Sequence, residues 1–191
     1  MIKRVIGVVL GMCLAHNTTA ATCPVDFGQD QIEVLQFSYD MGKHEDLGWT
    51  LAAIAWKESS AGRELVRIDG ESYKMVSYGI YHSLLKYASK RAGCKSRACE
   101  GKVVQDLMTD PVKAAEEAIR VIQYWQGYHG KDNWKAVWRG YNDGFQKSDA
   151  GYNYADNIAQ KVRYLKACLD LENGSKMSLG SPNLTIYGGV N

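Results

Sequence analysis

Leu51-Ala-Ala-Ile-Ala-Trp-Lys-Glu-Ser-Ser-Ala-Gly62 is the stretch around which the chain is organised. The apolar run at residues 51–56 predicts a buried helix, and Gly62 lets the chain turn sharply out of that helix. Glu58 stands at the end of the run, where burial strips water from a carboxylate and raises its pKa. A raised pKa suits a general acid that works near neutral pH. The alternative is an ordinary solvated glutamate at a helix end, which is the commoner case.

The N-terminus has the three parts of a secretory signal peptide. Residues 1–4 are basic, residues 5–15 are short and apolar, and the small residues that follow favour cleavage after Ala20 or Ala21. The apolar run is shorter than a standard membrane span, although a retained anchor is the alternative. We therefore expect a signal peptide at residues 1–21 and an exported protein, located in a periplasm or outside the cell.

Four of the five cysteines remain after residue 21, which in an exported chain predicts two disulfides. Cys94 and Cys99 enclose a short polar loop and are expected to pair. That leaves Cys23 and Cys168, which would join the mature N-terminus to the last helix. A zinc site is the competing interpretation, and it is disfavoured because no histidine sits at ligand spacing from either pair. We expect no metal and no other cofactor.

The charge and the motifs exclude several classes of function. The formal charge of +2 falls to 0 (2 − 2) once Lys3 and Arg4 leave with the signal peptide. A neutral chain without a basic patch does not predict a nucleic-acid partner. The sequence also lacks a P-loop, a Gly-x-Ser-x-Gly elbow, a His-Glu-x-x-His motif and a dinucleotide fingerprint.

Hydrophobic periodicity predicts a mostly helical chain with one small β-hairpin, in the α+β class. Asp69-Gly70, between two β-prone runs, predicts the hairpin turn. Asp46 is expected to cap the second helix, and the turn at residues 140–144 is expected to end the sixth. The predicted helices cover residues 29–39, 47–58, a segment ending at 88, 103–108, 111–128, a segment starting at 134, and 153–171.

The domain organisation is simple. From residue 173 onward Gly, Ser and Asn dominate without periodicity, which predicts a flexible tail at residues 173–191. No internal repeat or second domain is evident, so residues 22–172 are predicted to form one domain. We expect this domain to be a monomer.

Several segments place polar and aromatic residues beside glycine at predicted helix ends. Helix ends that meet around one buried carboxylate would form a cleft. Taken singly, each segment is also an ordinary helix end, because Gly, Asn and Ser are common there. The segments are Glu58-Ser59 with Gly62, Tyr78-Gly79-Ile80-Tyr81-His82, Gly140-Tyr141-Asn142-Asp143-Gly144, and Tyr154 near the start of the last helix.

Together, and in this order, the segments resemble the motifs of the soluble lytic transglycosylases of the lysozyme-like superfamily. Glu58-Ser59 resembles the Glu-Ser pair that closes an apolar helix in that family. Gly79-Ile80-Tyr81-His82 resembles its Gly-Leu-Met-Gln-like segment, and Tyr141-Asn142-Asp143-Gly144 resembles its Tyr-Asn-x-Gly turn. Tyr154 matches the late tyrosine, and Asp110-Pro111 opens a long helix as in the family. The resemblance covers residues 29–171.

The resemblance implies a lysozyme-like fold with a catalytic cleft, and an enzyme that cleaves peptidoglycan between MurNAc and GlcNAc. Glu58 would be the single catalytic residue, first as acid to the glycosidic oxygen and then as base while the C6 hydroxyl forms a 1,6-anhydro sugar. The partners would be glycan strands, and a secretion, conjugation or lysis machinery could recruit the enzyme through its tail. Ser59, Tyr141 and Tyr154 would hold Glu58 or the sugar, and Gly79, Tyr81, His82 and Asn142 would line the groove.

Two alternatives and one departure from the family pattern bear on this interpretation. A hydrolytic muramidase needs a second carboxylate across the bond, for which Asp69, Glu71 and Asp143 are the candidates. An inactive lysozyme-like module that binds peptidoglycan is the other alternative, and the intact Glu58 argues against it. His82 stands where the family usually has glutamine, so that the sugar contacts or their pH dependence are expected to differ.

Overall fold

The computed structural model describes residues 23–174 of the 191-residue chain. The predicted signal peptide and all but the first two residues of the predicted tail lie outside this range. The described part is mostly helical with a small antiparallel sheet, as the sequence predicts, and none of its helices is both long enough and apolar enough to cross a membrane. Its elements are α1 (Gln29–Gly42), α2 (Gly48–Ser59), β1 (Val66–Ile68), β2 (Val76–Tyr78), β3 (Ser83–Leu84), α3 (Leu85–Arg91), α4 (Arg97–Thr109), α5 (Pro111–His129), α6 (Trp134–Asp143) and α7 (Asp149–Cys168).

Helix α2 lies at the centre of the core and packs against α1, α7 and α5. Every residue from 51 to 55 is 0% exposed, which confirms the predicted buried helix. Asp46 does not cap this helix, contrary to the prediction. It ends a short 3-10 turn in a left-handed conformation, and Leu47 precedes α2 without a side-chain hydrogen bond to the helix.

The sheet has the order β1-β2-β3, and its first two strands form the predicted hairpin in a different register. Val66 pairs with Tyr78 and Ile68 pairs with Val76, so residues 69–75 form a loop rather than a tight Asp-Gly turn. The Asp69 side chain instead links the end of β1 to β2, because its Oδ2 accepts a hydrogen bond from Ser77 Oγ at 2.5 Å. The third strand was not predicted.

Several helix boundaries also differ from the prediction, and α7, for example, covers Asp149–Cys168 rather than residues 153–171. Helix α4 begins at Arg97 because the Ser96 hydroxyl accepts a hydrogen bond from the backbone of Cys99, so the helix is longer than the predicted 103–108. The predicted turn at residues 140–144 is the last turn of α6, which Gly144 ends at φ +65°. Helix α5 buries Ala115, Ala118, Ile122 and Trp125, whereas Val112 near its start is 43% exposed.

Both predicted disulfides are present. Cys23 pairs with Cys168 across 145 residues of sequence, and Cys94 pairs with Cys99 across 5. The first joins the start of the described chain to the end of α7, and the second closes the loop that leads into α4. The two bridges therefore constrain the unfolded chain to very different degrees.

We expect the double substitution Cys23→Ser/Cys168→Ser to destabilise the protein more than Cys94→Ser/Cys99→Ser. From loop-closure entropy, the disulfide that closes the long loop is expected to stabilise the fold by about 5 kcal/mol, and the one that closes the short loop by about 2 kcal/mol. Chemical denaturation of both variants beside the oxidised wild type measures the difference. Equal losses, or a larger loss for the short loop, would contradict this account.

Gly79 is required where β2 leaves the sheet. Its φ is +79°, and a Cβ added there would lie 2.3 Å from the backbone oxygen of Leu107. We expect Gly79→Ala to lower the free energy of unfolding by about 2–4 kcal/mol, through backbone strain and overpacking. Gly101→Ala is the matched control, because an added Cβ meets no atom within 4 Å in helix α4. Thermal and denaturant unfolding of both variants test this, and similar stabilities would refute it.

Candidate active site

A cleft of about 360 Å³ opens where the end of α2, strand β1, the end of α6 and the start of α7 meet. Three of the residues that the sequence predicted for the site line it, namely Glu58, Asn142 and Tyr154. The full lining consists of Lys57, Glu58, Arg67, Asn142, Ala150, Asn153, Tyr154 and Asn157.

The end of α2 fixes the position of Glu58. Ser59 Oγ donates to the carbonyl of Ala55 at 3.1 Å and accepts from the backbone N–H of Gly62 at 2.9 Å. The three residues that follow, 60–62, all have positive φ angles, so the chain turns away immediately. Ser59 is fully buried and supports the helix end from within. Glu58 is therefore held at the floor of the cleft with 8% of its surface exposed.

Arg67 is the main charged partner of Glu58. Its Nη1 donates to Glu58 Oε2 at 2.5 Å, and its Nε donates to Asp69 Oδ1 at 2.7 Å. The Arg67 side chain is 46% exposed, whereas the Glu58 side chain is 5% exposed. The guanidinium thus bridges two carboxylates, one on the cleft floor and one beside the sheet. Sequence reasoning missed Arg67, because its place opposite Glu58 follows from the hairpin register.

The pKa of Glu58 differs in direction from the sequence prediction. Burial, the largest influence, raises the pKa, but the contacts with His82, Tyr154 and Arg67 together outweigh it and hold the pKa below its ordinary value. The prediction of a raised pKa was wrong because it counted the loss of water and not the contacts with His82, Tyr154 and Arg67, which lower the pKa. Glu58 is ionised in this arrangement, with Arg67 as its counter-ion.

His82 contacts Glu58 but is not among the residues that line the cleft. Its ring Nε2 lies 2.7 Å from the carbonyl oxygen of Glu64, and its Nδ1 lies 3.5 Å from Glu58 Oε2. The side chain is 2% exposed. The backbone of His82 is in the left-handed region at φ +45°, which is uncommon for histidine.

Two stacked tyrosines close the cleft behind Glu58. The rings of Tyr141 and Tyr154 lie 6.5 Å apart at 13°, and the Tyr141 hydroxyl donates to the carbonyl of Tyr81 at 3.0 Å. Burial, and then the charge of Glu58, raise the pKa of both phenols well above the ordinary value. Both phenols are therefore neutral near neutral pH.

Two other predicted residues lie behind the cleft rather than on its surface. Tyr81 is fully buried, and its hydroxyl lies 2.9 Å from Ser38 Oγ. Gly79 is buried against the backbone of Leu107. Their role in this structure is to shape the wall that carries His82.

Helix α7 contributes amides that sequence reasoning missed. Asn153 and Asn157 line the cleft four residues apart, on either side of Tyr154. The Oδ1 of Asn157 is buried and has no hydrogen-bond partner within residues 23–174. The spacing of the two asparagines around a predicted site tyrosine was the available signal, because residues four apart share one face of a helix.

Among the candidates for a second carboxylate, Asp69 is linked to Glu58 through Arg67, because both carboxylates form an ion pair with that guanidinium. Asp143 Oδ2 instead accepts from the backbone N–H of Ser148 at 2.9 Å, and Glu71 is exposed. Two further glutamates are buried outside the cleft, Glu100 beside Lys74 and Glu117 beside Arg91. In the described part of the chain, no three His, Cys, Asp or Glu residues are arranged to hold a metal ion.

We expect the stability of the wild type to fall more steeply than that of Glu58→Gln as the pH is lowered from about 7 to about 3. The pKa of folded Glu58 lies below its ordinary value of 4.5, so the ionised group stabilises the fold above that pH. This contribution disappears as the pH falls through the folded pKa. Denaturant unfolding across this range measures the effect, and a shallower fall for the wild type would show that the pKa is raised instead.

The chain matches no family model and no solved structure. It is similar to a protein of Enterobacteria phage T4, the uncharacterized 20.7 kDa protein in the vs-regB intergenic region. The two sequences are 25% identical over 173 residues, which cover 83% of this chain and 92% of the phage protein. The similarity therefore extends over most of both chains.

Proposed function

We propose that this protein is a lytic transglycosylase that cleaves the β-1,4 bond between MurNAc and GlcNAc in peptidoglycan, with Glu58 as both acid and base. The observation that carries the proposal is a single buried carboxylate on the floor of a cleft built from helix ends. Among the cleft-lining residues that belong to the described range 23–174, Glu58 is the only acid. Hydrolytic glycosidases use two carboxylates, whereas attack by the sugar's own C6 hydroxyl needs one.

The fold supports the same assignment. A central buried helix carries Glu58 near its end, a small antiparallel sheet follows it, and helices α6 and α7 complete the cleft. This order is the one expected of a lysozyme-like fold. The motif residues Glu58, Asn142 and Tyr154, which come from three different helices, meet at one cleft.

In the first step Glu58 protonates the glycosidic oxygen, and the C1–O4 bond breaks. Arg67 has to leave Oε2 before this step, because a carboxylate under a guanidinium is not an acid. In the second step O6 attacks C1, and the carboxylate of Glu58 accepts the proton of the C6 hydroxyl. The amides of Asn142, Asn153 and Asn157 are placed to hydrogen-bond the sugar substituents.

A hydrolytic muramidase is the second candidate, and one contact favours it. Asp69 is bonded to the same guanidinium as Glu58, at 2.7 Å from Nε. If Arg67 swings outward, Asp69 becomes the second carboxylate at the rim of the site. Water would then replace the C6 hydroxyl as the attacking group.

The proposed location is outside the cytoplasm, in a periplasm or beyond the cell. Two disulfides support it, because such bonds persist in oxidising compartments. There the protein would meet glycan strands of the cell wall directly. Recruitment by a secretion, conjugation or lysis machinery is compatible with this location.

We expect Glu58→Gln to reduce cleavage of purified peptidoglycan at least about 100-fold while the fold is retained, because the acid and base is lost. Glu100→Gln is the matched control, since Glu100 is also buried and paired, with Lys74 at 2.7 Å, but lies outside the cleft. Mass spectrometry of the released muropeptides measures both the rate and the product.

The transglycosylase would be supported if the wild type and Glu100→Gln released anhydro-muropeptides and Glu58→Gln did not. Products one water heavier would instead establish a muramidase and direct attention to Asp69. Near-normal turnover in Glu58→Gln would refute the assignment of the catalytic residue. Binding of peptidoglycan without any product would favour the inactive module.

A further inference from the structure

His82 presents a buried ring nitrogen to Glu58 that has no hydrogen-bond partner among the described residues. Its Nδ1 lies 3.5 Å from Glu58 Oε2, and the two side chains are 2% and 5% exposed. A polar atom buried without a partner costs free energy, so its presence calls for an explanation. The carboxylate of Glu58, which lies beside this nitrogen, provides the explanation.

The hydrogen bond on the other ring nitrogen decides what Nδ1 can do. Nε2 lies 2.7 Å from the carbonyl oxygen of Glu64, and a carbonyl only accepts, so Nε2 carries a hydrogen. In the neutral ring Nδ1 would then aim a lone pair at a carboxylate oxygen, which is repulsive in a buried site. A proton between Nδ1 and Oε2 removes the repulsion. The pair His82–Glu58 is therefore built to hold one proton.

The backbone conformation of His82 also indicates a functional role for this residue. A non-glycine residue in the left-handed region costs free energy, of the order of 1–3 kcal/mol, and such strain concentrates at functional sites. The backbone N–H of His82 donates to the carbonyl of Gly79 at 3.1 Å, and Nε2 is held by Glu64. These two bonds keep the ring aimed at Glu58 despite the strain at φ +45°.

We propose that His82 stores the proton that Glu58 uses as the general acid. While Arg67 occupies Oε2, the proton resides on Nδ1 of His82, and Glu58 is a carboxylate. When a glycan enters and Arg67 moves off, the N–H bond breaks and an O–H bond forms on Oε2, which leaves a neutral imidazole. This inference rests on the proposed function, and it makes His82 a positioning residue that acts through Glu58.

The surroundings favour the transfer once Arg67 has moved. A buried imidazolium and carboxylate would both lack water, whereas the desolvation penalty of the neutral pair is much smaller. The tyrosine hydroxyls that face Glu58 do not exchange protons near neutral pH. Tyr154 on α7 and Tyr141 on α6 stay neutral because burial raises the pKa of each phenol.

Arg67 is suited to moving. Its side chain is 46% exposed, and its Nε remains bonded to Asp69 when the contact between Nη1 and Glu58 breaks. Asp69 is in turn anchored by Ser77 on β2. Lys57, the other cation that lines the cleft, is exposed at the end of α2.

The protons balance over one turnover. Glu58 gives its proton to the leaving O4 and then receives one from the C6 hydroxyl as the anhydro ring closes. When product leaves and Arg67 returns to Oε2, that proton passes back to Nδ1 of His82. No proton from solvent is required, so cleavage should persist at a pH well above the pKa of Glu58.

The first test is the pH dependence of cleavage in His82→Gln and His82→Asn. Neither amide can supply a proton, so we expect the ratio of kcat/KM at pH 7 to that at pH 5 to fall at least about tenfold below the wild-type ratio. Asparagine tolerates the left-handed region, which guards against misfolding in one of the two variants. His44→Gln is the matched control, because His44 is exposed and is not among the residues that line the cleft. A wild-type ratio in folded His82 variants would overturn the inference.

The second test needs no cleavage. In protein with ¹⁵N-labelled histidine, we expect both ring nitrogens of His82 to carry protons in the wild type at about pH 6.5, and Nδ1 to be unprotonated in Glu58→Gln. The same protonation state in both proteins would overturn the inference even if peptidoglycan is cleaved. The expected difference in a wild type that cleaves no peptidoglycan would support proton sharing and refute the proposed function.

Discussion

A carboxylate buried at the end of an apolar helix has to be paired, and this requirement organises the rest of the site. Helix α2 is apolar throughout residues 51–55 and fully buried there, so Glu58 reaches the cleft with almost no access to water. An unpaired charge in that position would cost several kcal/mol. The structure meets the requirement by bringing Arg67 from strand β1 onto Oε2.

The small sheet follows from the same constraint. Residues 66–68 pair with residues 76–78, and this register places Arg67 opposite Ser77, with Asp69 bonded to both side chains. Residues 69–75 form a loop longer than a tight turn, and Asp69 at its start bonds Arg67. The sheet therefore contributes to the site mainly by holding a cation over Glu58, since its first strand is exposed and adds little to the core.

The position of His82 has a different origin. Tyr81 is anchored in the core through Ser38, and His82 follows it in a left-handed conformation, with its ring beside Glu58. Oε2 of Glu58 thus lies next to both a guanidinium and an imidazole. Under the proposed function, these two neighbours would let the carboxylate act first as an acid and then as a base.

Much of the fold could be predicted from the sequence, because it depends on residues close together in the chain. The apolar run of α2 predicted its burial. Asp110 and Pro111 predicted the start of α5, where the Asp110 carboxylate accepts from the first backbone N–H groups at 3.1 Å. The pairing of the four cysteines could be predicted because one pair is separated by a short loop. The ordered motifs also predicted that Glu58, Asn142 and Tyr154 would meet.

By itself the sequence determined the helical class, the central helix and the carboxylate at its end, because caps and periodicity act over a few neighbouring residues. The tertiary structure alone decided the charge state of that carboxylate. Burial and pairing shift a pKa in opposite directions, and only the hairpin register brings Arg67 to within 2.5 Å of Glu58. The same holds for the position of His82, whose ring lies between a carbonyl and a carboxylate 18 and 24 residues earlier in the chain.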